Sequence, residues 1–210
     1  MPKDGNKTRL KILDKTQALI LENGYAGTTI DQIIQSVQIT KGAFFYHFKS
    51  KADLARAVIE HYAKNDEEGL RVALEATEKF SADPVQRLLE FVQWFIDFFK
   101  ELDTPFPGCL FASYTYEPGH FSEEVKEVVA SSIISWREAI VQLITEAEDA
   151  SNTKLSVGTE SLADHFTVIM EGAFIVSKSL KVPSIIANQL VHYRNYLQLV
   201  FGQSILGREV

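Results

Sequence analysis

The sequence predicts an all-α protein, and three observations carry that expectation. Apolar residues recur at three- and four-residue spacings along nearly the whole 210-residue chain, the period that places them on one face of a helix. No run of alternating apolar and polar residues bounded by hairpin turns is present. Cap and stop signals also punctuate the chain at helical intervals. About nine helices result, arranged as an N-terminal three-helix unit followed by a larger helical bundle.

The first helix is expected from Thr8 to Asn23, with Leu10, Leu13 and Ile20 on one side. It should stop at Gly24, because a left-handed terminating residue is least costly as glycine. Thr29-Ile30-Asp31-Gln32 is a capping-box pattern, in which the threonine oxygen accepts a backbone N–H and the glutamine reaches back. It opens a short helix that buries Ile30, Ile33, Ile34 and Val37 and ends before Gln38. Thr40 caps a third short helix, with Ile39 and Phe44 placed as a hydrophobic staple. At about 100° per residue, Phe44 and Phe48 share one face while Gly42, Ala43 and Tyr46 lie broadly opposite. A fourth helix follows from Ser50 to Leu74, with Asp53 completing its cap.

Asp83-Pro84-Val85-Gln86 restarts the pattern with an N-cap, a proline at the first helical position and a glutamine at the third. The helix to Leu102 has one polar stripe of Gln86, Glu90, Gln93, Asp97 and Lys100; apolar side chains cover the rest, so most of it is buried. TPFPGCLFASYTYEPG, residues 104–119, holds three prolines and two glycines, leaving room for one brief helix. Ser122 opens a helix to Ala150 through Val125, Val129, Trp136, Ile140 and Ile144. A polar loop at 151–158 precedes a helix from Glu160 to Leu180, and Pro183 admits a last helix to Gly202.

Charge and composition exclude several functions. The net charge is −7, yet residues 1–51 carry eight Lys/Arg against four Asp/Glu, leaving 13 against 24 for the remainder. Basic character is confined to the first quarter. The single cysteine, Cys109, excludes an intramolecular disulfide and a cysteine-based zinc site. No signal-peptide segment and no stretch of ~18 uncharged apolar residues is seen, so the expected setting is the cytoplasm, with no membrane. His47, His61, His120, His165 and His192 are scattered, and no metal-ligand spacing, phosphate-binding glycine loop or nucleophile elbow accompanies them. The chain is therefore not expected to be an enzyme or to hold a metal or cofactor.

Two short helices joined by a tight turn, inside the basic quarter, form a helix-turn-helix candidate whose second member would enter a DNA major groove. Lys41, Lys49 and Lys51 cluster about helix starts, where a cation is misplaced unless an anion is near, and a DNA phosphate is such an anion. Glycine at 42 costs a helix roughly 0.5–1 kcal/mol, which close approach to DNA explains. Tyr46, His47, Thr28 and Thr29 offer phosphate contacts, and Lys41 and Ala43 offer contacts to guanine acceptors and a thymine methyl. Phe45 belongs to the same candidate surface.

The stretch NGYAGTTIDQIIQSVQITKGAFFYHFKSKADL carries G-Y-x-x-T-T, then I-T-K-G into the third helix, then Y-H-F-x-S-K. In these motifs it resembles the DNA-binding segment of the TetR family of bacterial transcriptional repressors, over about residues 7–60. The resemblance implies that Thr29, Lys41, Gly42, Ala43, Tyr46, His47 and Lys51 face DNA. Two departures stand out: Phe45 occupies a position where the family often has tyrosine, and Val37-Gln38-Ile39 replaces the more usual alanine-glycine-valine turn.

Residues 1–51 are accordingly expected to be the DNA-binding domain and 52–210 a helical ligand-binding and dimerisation domain. The resemblance implies a small inducer bound in the second part. Phe91, Trp94, Phe95, Phe98, Phe111, Tyr114, Trp136, Phe166, Met170 and Phe174, with Cys109, are the candidates for an apolar pocket. It also implies a two-fold dimer built from the last two helices, whose apolar faces carry Phe166, Ile169, Ala173, Ile186, Leu190, Tyr193, Leu197 and Val200. The expected protein is a repressor that binds a pseudo-palindromic double-stranded DNA operator as a homodimer and is released by an apolar or aromatic inducer. The alternative trigger is oxidation or alkylation of Cys109.

Overall fold

The computed structural model describes residues 3–154 and 156–203. Among these it contains nine α-helices, two short 3-10 turns and no strand. The helices are α1 (Lys3–Gly27), α2 (Ile30–Val37), α3 (Lys41–His47), α4 (Lys51–Thr77), α5 (Pro84–Lys100), α6 (Leu110–Tyr116), α7 (Glu123–Ser151), α8 (Thr159–Leu180) and α9 (Ile185–Val200). Each expected helix is present and the differences lie at the ends. Leu155, inside the expected 151–158 loop, lies outside the described residues.

α1 begins earlier than expected and resumes beyond its stop signal. Gly24 leaves the helical region at φ 75°, ψ 166°, so the chain kinks there. The Glu117 carboxylate then accepts the N–H groups of Tyr25 at 2.7 Å and Ala26 at 2.9 Å, satisfying donors that a restarting helix would leave orphaned. At the start of α5 Asp83 accepts the Gln86 N–H at 3.0 Å, but the Gln86 side chain donates to Glu90 instead of reaching back. α8 ends at Lys181, φ 58°, where Ser177 accepts the Val182 N–H and returns its hydroxyl to the Val182 carbonyl.

The chain forms two compact units. One combines the residues up to Asp66 with Cys109–Ser132. Its core joins Ile12, Ile20, Ile33, Phe44, Phe48 and Val58 with Leu110, Phe111, Tyr114 and Val125. The other comprises Glu67–Gly108 and the chain from Ile133 onward, and its interior holds Leu88, Phe91, Phe95, Ile144, Phe166, Leu190 and Tyr193. Each fully buried side chain of this size contributes about 1.5–3 kcal/mol. α7, by length and composition, passes the test for a membrane-spanning helix, with a mean hydropathy of 1.2 over 18 residues. Its buried Val125, Val129, Ile140, Ile144 and Ala147 recur at helical spacing, the pattern of a helix packed along one face, and 22% of the apolar window is buried.

Candidate nucleic-acid interface

The site begins with α2, which starts on a complete capping box. Thr29 Oγ1 accepts the Gln32 N–H at 3.2 Å, and Gln32 Oε1 accepts the Thr29 N–H at 2.7 Å. α2 ends with Gln38 in the left-handed region, φ 60°, ψ 50°. There the Gln38 N–H reaches the Gln35 carbonyl at 3.2 Å and the Ile39 N–H reaches Ile34 at 3.3 Å, the paired bonds of a Schellman turn. The Lys11 ammonium donates to the Val37 carbonyl at 2.8 Å and closes the same end. A position that favours glycine is thus held by glutamine, at a cost on the order of 1 kcal/mol.

Thr40 next caps α3, its Oγ1 accepting the Ala43 N–H at 3.2 Å. Phe44 is 0% exposed and Phe48 1%, so one side of this single short helix is anchored in the core. Tyr46 is 83% exposed and Phe45 41%, while Lys41 and Gly42 are exposed and Ala43 and His47 half-buried. The two faces expected from the spacing are therefore the two faces observed. Phe45 stands edge-on to Phe44, centroids 5.3 Å apart, and Arg9 lies over the Phe48 ring at 5.2 Å. A Cβ at Gly42 would meet only Thr40 Oγ1, at 4.0 Å, so nothing in the chain's own packing demands glycine there.

Three of the sequence candidates have side-chain polar atoms engaged within the chain. Thr28 is 0% exposed and its hydroxyl donates to the Gly24 carbonyl, so its side chain serves the kink and points at no outside partner. Thr29 is exposed, but its oxygen is engaged in the cap. Lys51 is half-buried, with Nζ donating to the Tyr25 carbonyl at 2.6 Å and lying 4.1 Å from the centre of the Tyr25 ring. Burial pushes its ammonium pKa down, with Glu117 pulling the other way. It clamps the start of α4 to the end of α1.

Sequence reasoning missed three residues that position this surface: Lys11, Arg9 and Glu117. The Glu117 contact spans 92 positions, and no local pattern announces it.

The pocket candidates fall into separate groups. Cys109, Phe111 and Tyr114 belong to the first unit: Phe111 stands edge-on to Tyr62 at 4.8 Å, and the Tyr114 hydroxyl donates to the Ala55 carbonyl. Cys109 is half-buried and its thiol neighbours the Tyr62 phenol, whose pKa rises through burial first and the cysteine second. In the second unit Phe91, Phe95, Trp136, Phe166 and Tyr193 form a chain of ring contacts at 5.2 to 6.1 Å. Phe99, Phe106 and Phe174 form another, while Trp94 stacks on the exposed Phe98 and Met170 is half-buried.

The residues expected at a dimer face are turned inward. Phe166, Ile186, Leu190 and Leu197 are 0% exposed, and Ala173 and Tyr193 nearly so, because the protomer's own helices consume their apolar area. Ile169 and Val200 are half-buried. The apolar residues that remain exposed on α8 are Val168, Ile175, Val176 and Leu180, with Gly172 among them, and on α9 Tyr196 and Leu199.

Residues 12–58 match the family described as bacterial regulatory proteins, tetR family, and residues 84–192 match the tetracyclin repressor-like C-terminal domain. The chain belongs to the TetR family. As a TetR-family protein it is a DNA-binding transcriptional regulator and not an enzyme. It is 24% identical over 170 residues to the repressor DhaR of Mycobacterium sp. strain GP1, covering 81% of this chain and 82% of that one. It is 26% identical over 159 residues to the regulator AcuR of Cereibacter sphaeroides, covering 76% and 71%. A TetR transcriptional regulator from Chloroflexus aurantiacus superposes with a TM-score of 0.75 at 25% identity, over 93% of this chain and 96% of the other.

Proposed function

We propose that this TetR-family regulator is a cytoplasmic, ligand-responsive repressor that binds a pseudo-palindromic operator as a homodimer. The observation that carries this reading is the division of α3: Phe44 wholly buried on one side, Gly42 and Tyr46 open on the other. Such a helix is fixed by the fold and free to enter a major groove. Lys41, Gly42, Ala43, Phe45, Tyr46 and His47 are its DNA-facing residues, Thr29 bounds the surface, and Lys51 supports it.

The dimer face of this proposal differs from the one read off the sequence. Val168, Gly172, Ile175, Val176 and Leu180 recur at helical spacing along α8, and His192, Tyr196 and Leu199 do so along α9. Two copies of this helix pair would make a four-helix interface and set two α3 helices on successive half-sites. The inducer is apolar or aromatic and lodges among Phe91, Phe95, Trp136 and Phe166. α4 runs continuously from the residues of the first unit into those of the second, so tilting it would alter the spacing of the α3 pair. Coupling of this kind amounts to ~1–3 kcal/mol and is reciprocal.

The test is to recover bound fragments from the source genome with purified protein, then titrate the recovered site against apolar aromatic compounds and, separately, a thiol alkylator. A pseudo-palindrome released by one of the compounds supports the reading. Binding as a monomer to a single half-site contradicts it. Release only after alkylation would replace the inducer with a covalent trigger at Cys109.

A further inference from the structure

We infer that Gln38, in the turn between α2 and α3, reads an adenine edge in each operator half-site, beside the guanine acceptors within the chemistry of Lys41. This rests on the proposal that α3 enters the major groove, and it adds a specificity-determining residue to that surface.

Gln38 is a strained residue whose side chain the fold does not use. It holds φ 60°, ψ 50°, a conformation that glycine adopts at least cost. Among the described residues, three that are not glycine take a positive φ: Gln38, Asn152 and Lys181. Asparagine suits this region because its short side chain can hydrogen-bond locally, and a lysine at the end of α8 complements the helix dipole. Gln38 has neither compensation. It is uncharged, and the Lys11 ammonium already supplies a cation at the end of α2 through its bond to the Val37 carbonyl. The turn itself is closed by the backbone N–H groups of Gln38 and Ile39. Gln38 is exposed, and among the described residues its carboxamide makes no hydrogen bond within the chain. Backbone strain of this kind concentrates where a residue contacts a ligand.

The position fits that use. Ile39 is half-buried, while Gln38, Thr40, Lys41 and Gly42 are exposed and lead onto the N-terminal end of α3. In a helix-turn-helix protein that end meets base edges, whereas the first helix crosses the phosphate backbone. Chemistry decides between the two partners. A phosphate oxygen only accepts hydrogen bonds, so a cation such as the exposed Lys49 serves it better than a neutral amide. A carboxamide presents a donor and an acceptor side by side, the pair that matches N7 and N6 of adenine. Lys41, three residues on, has donors only and suits O6 and N7 of guanine. Together the two side chains ask for both purines in each half-site.

The experiment uses the wild-type protein and its recovered operator. Replacing the contacted adenine of both half-sites by 7-deazaadenine, or exchanging its base pair, should weaken wild-type binding about tenfold. Gln38→Gly keeps the turn and removes the amide. Its urea midpoint should hold or rise, while it binds the original and exchanged operators within about twofold of each other. Gln38→Glu keeps the length but loses the donor, and should move the preference at that base pair from adenine to cytosine. Wild-type ranking of the bases by Gln38→Gly at every position would overturn the inference. So would an equal loss of affinity by that variant on every exchanged operator, with wild-type binding weakened by one neutral methylphosphonate in place of a phosphate, because those results mark a backbone contact. A lowered urea midpoint in Gln38→Gly would overturn it as well, by giving the amide a use within the fold. Failure to recover any operator would overturn the DNA-reading proposal itself, which is a separate outcome.

Discussion

The two compact units of this TetR-family regulator use aromatic residues to opposite ends. In the unit that carries α3, neighbouring rings are divided: Phe44 and Phe48 go inside, Phe45 and Tyr46 stay out. In the other, Phe91, Phe95 and Phe166 are buried in mutual contact, and the buried Tyr193 packs on Phe166. Charge divides along the sequence in a similar way, with the first 51 residues basic, eight Lys/Arg against four Asp/Glu, and the remainder acidic, 13 against 24. A buried ring is explained by packing alone, whereas two adjacent exposed rings on one short helix form a candidate contact surface. The reader is therefore a surface held by its back, and the bundle is a packed aromatic core.

Substitutions break this contrast in order of size. Phe166→Ala should destabilise the bundle most, by about 3–5 kcal/mol in a denaturant titration, because it removes a ring at the crossing of several others. Raising the pH attacks both units through buried phenols. Burial raises the pKa of Tyr25, Tyr62, Tyr114 and Tyr193 above the ordinary value of 10.0. The unfolded chain then ionises first. Stability should thus be intact below pH 10 and fall as pH climbs past it, with the share of tyrosinate absorbance that comes from these four residues rising only as the protein unfolds.

The remaining changes sharpen the comparison inside the reader. Gln38→Gly should stabilise the protein by about 1 kcal/mol, since glycine adopts φ 60° without strain. A lowered urea midpoint would show that the glutamine side chain contributes more than its backbone costs. Gly42→Ala should raise stability by about 0.5–1 kcal/mol, because no neighbour crowds the added methyl, while lowering operator affinity. Equal or better DNA binding by that variant would remove close approach as the reason for the glycine.

Much of the reader was legible in the sequence because its signals are local. The Thr29–Gln32 box, the Thr40 cap, the stop at Gly24 and the two sides of α3 each depend on a few adjacent residues. What was not legible depends on distant partners. Nothing local to Lys51 shows that its ammonium also donates to the carbonyl of Tyr25, 26 positions earlier. Glu117 reads as a loop carboxylate until it meets the Tyr25 and Ala26 amides. Periodicity showed that Ile186, Leu190, Tyr193 and Leu197 form an apolar face, but the same pattern arises whether the covering helix is the chain's own or another copy's.

The most direct measurement of the central claim is operator affinity of Tyr46→Ala beside its melting temperature. Tyr46 is 83% exposed and makes no core contact, so its loss should leave melting unchanged. A lost hydrogen bond to a charged phosphate should weaken operator binding about tenfold. Unchanged affinity in a normally folded variant would contradict the assignment of this face of α3 to DNA.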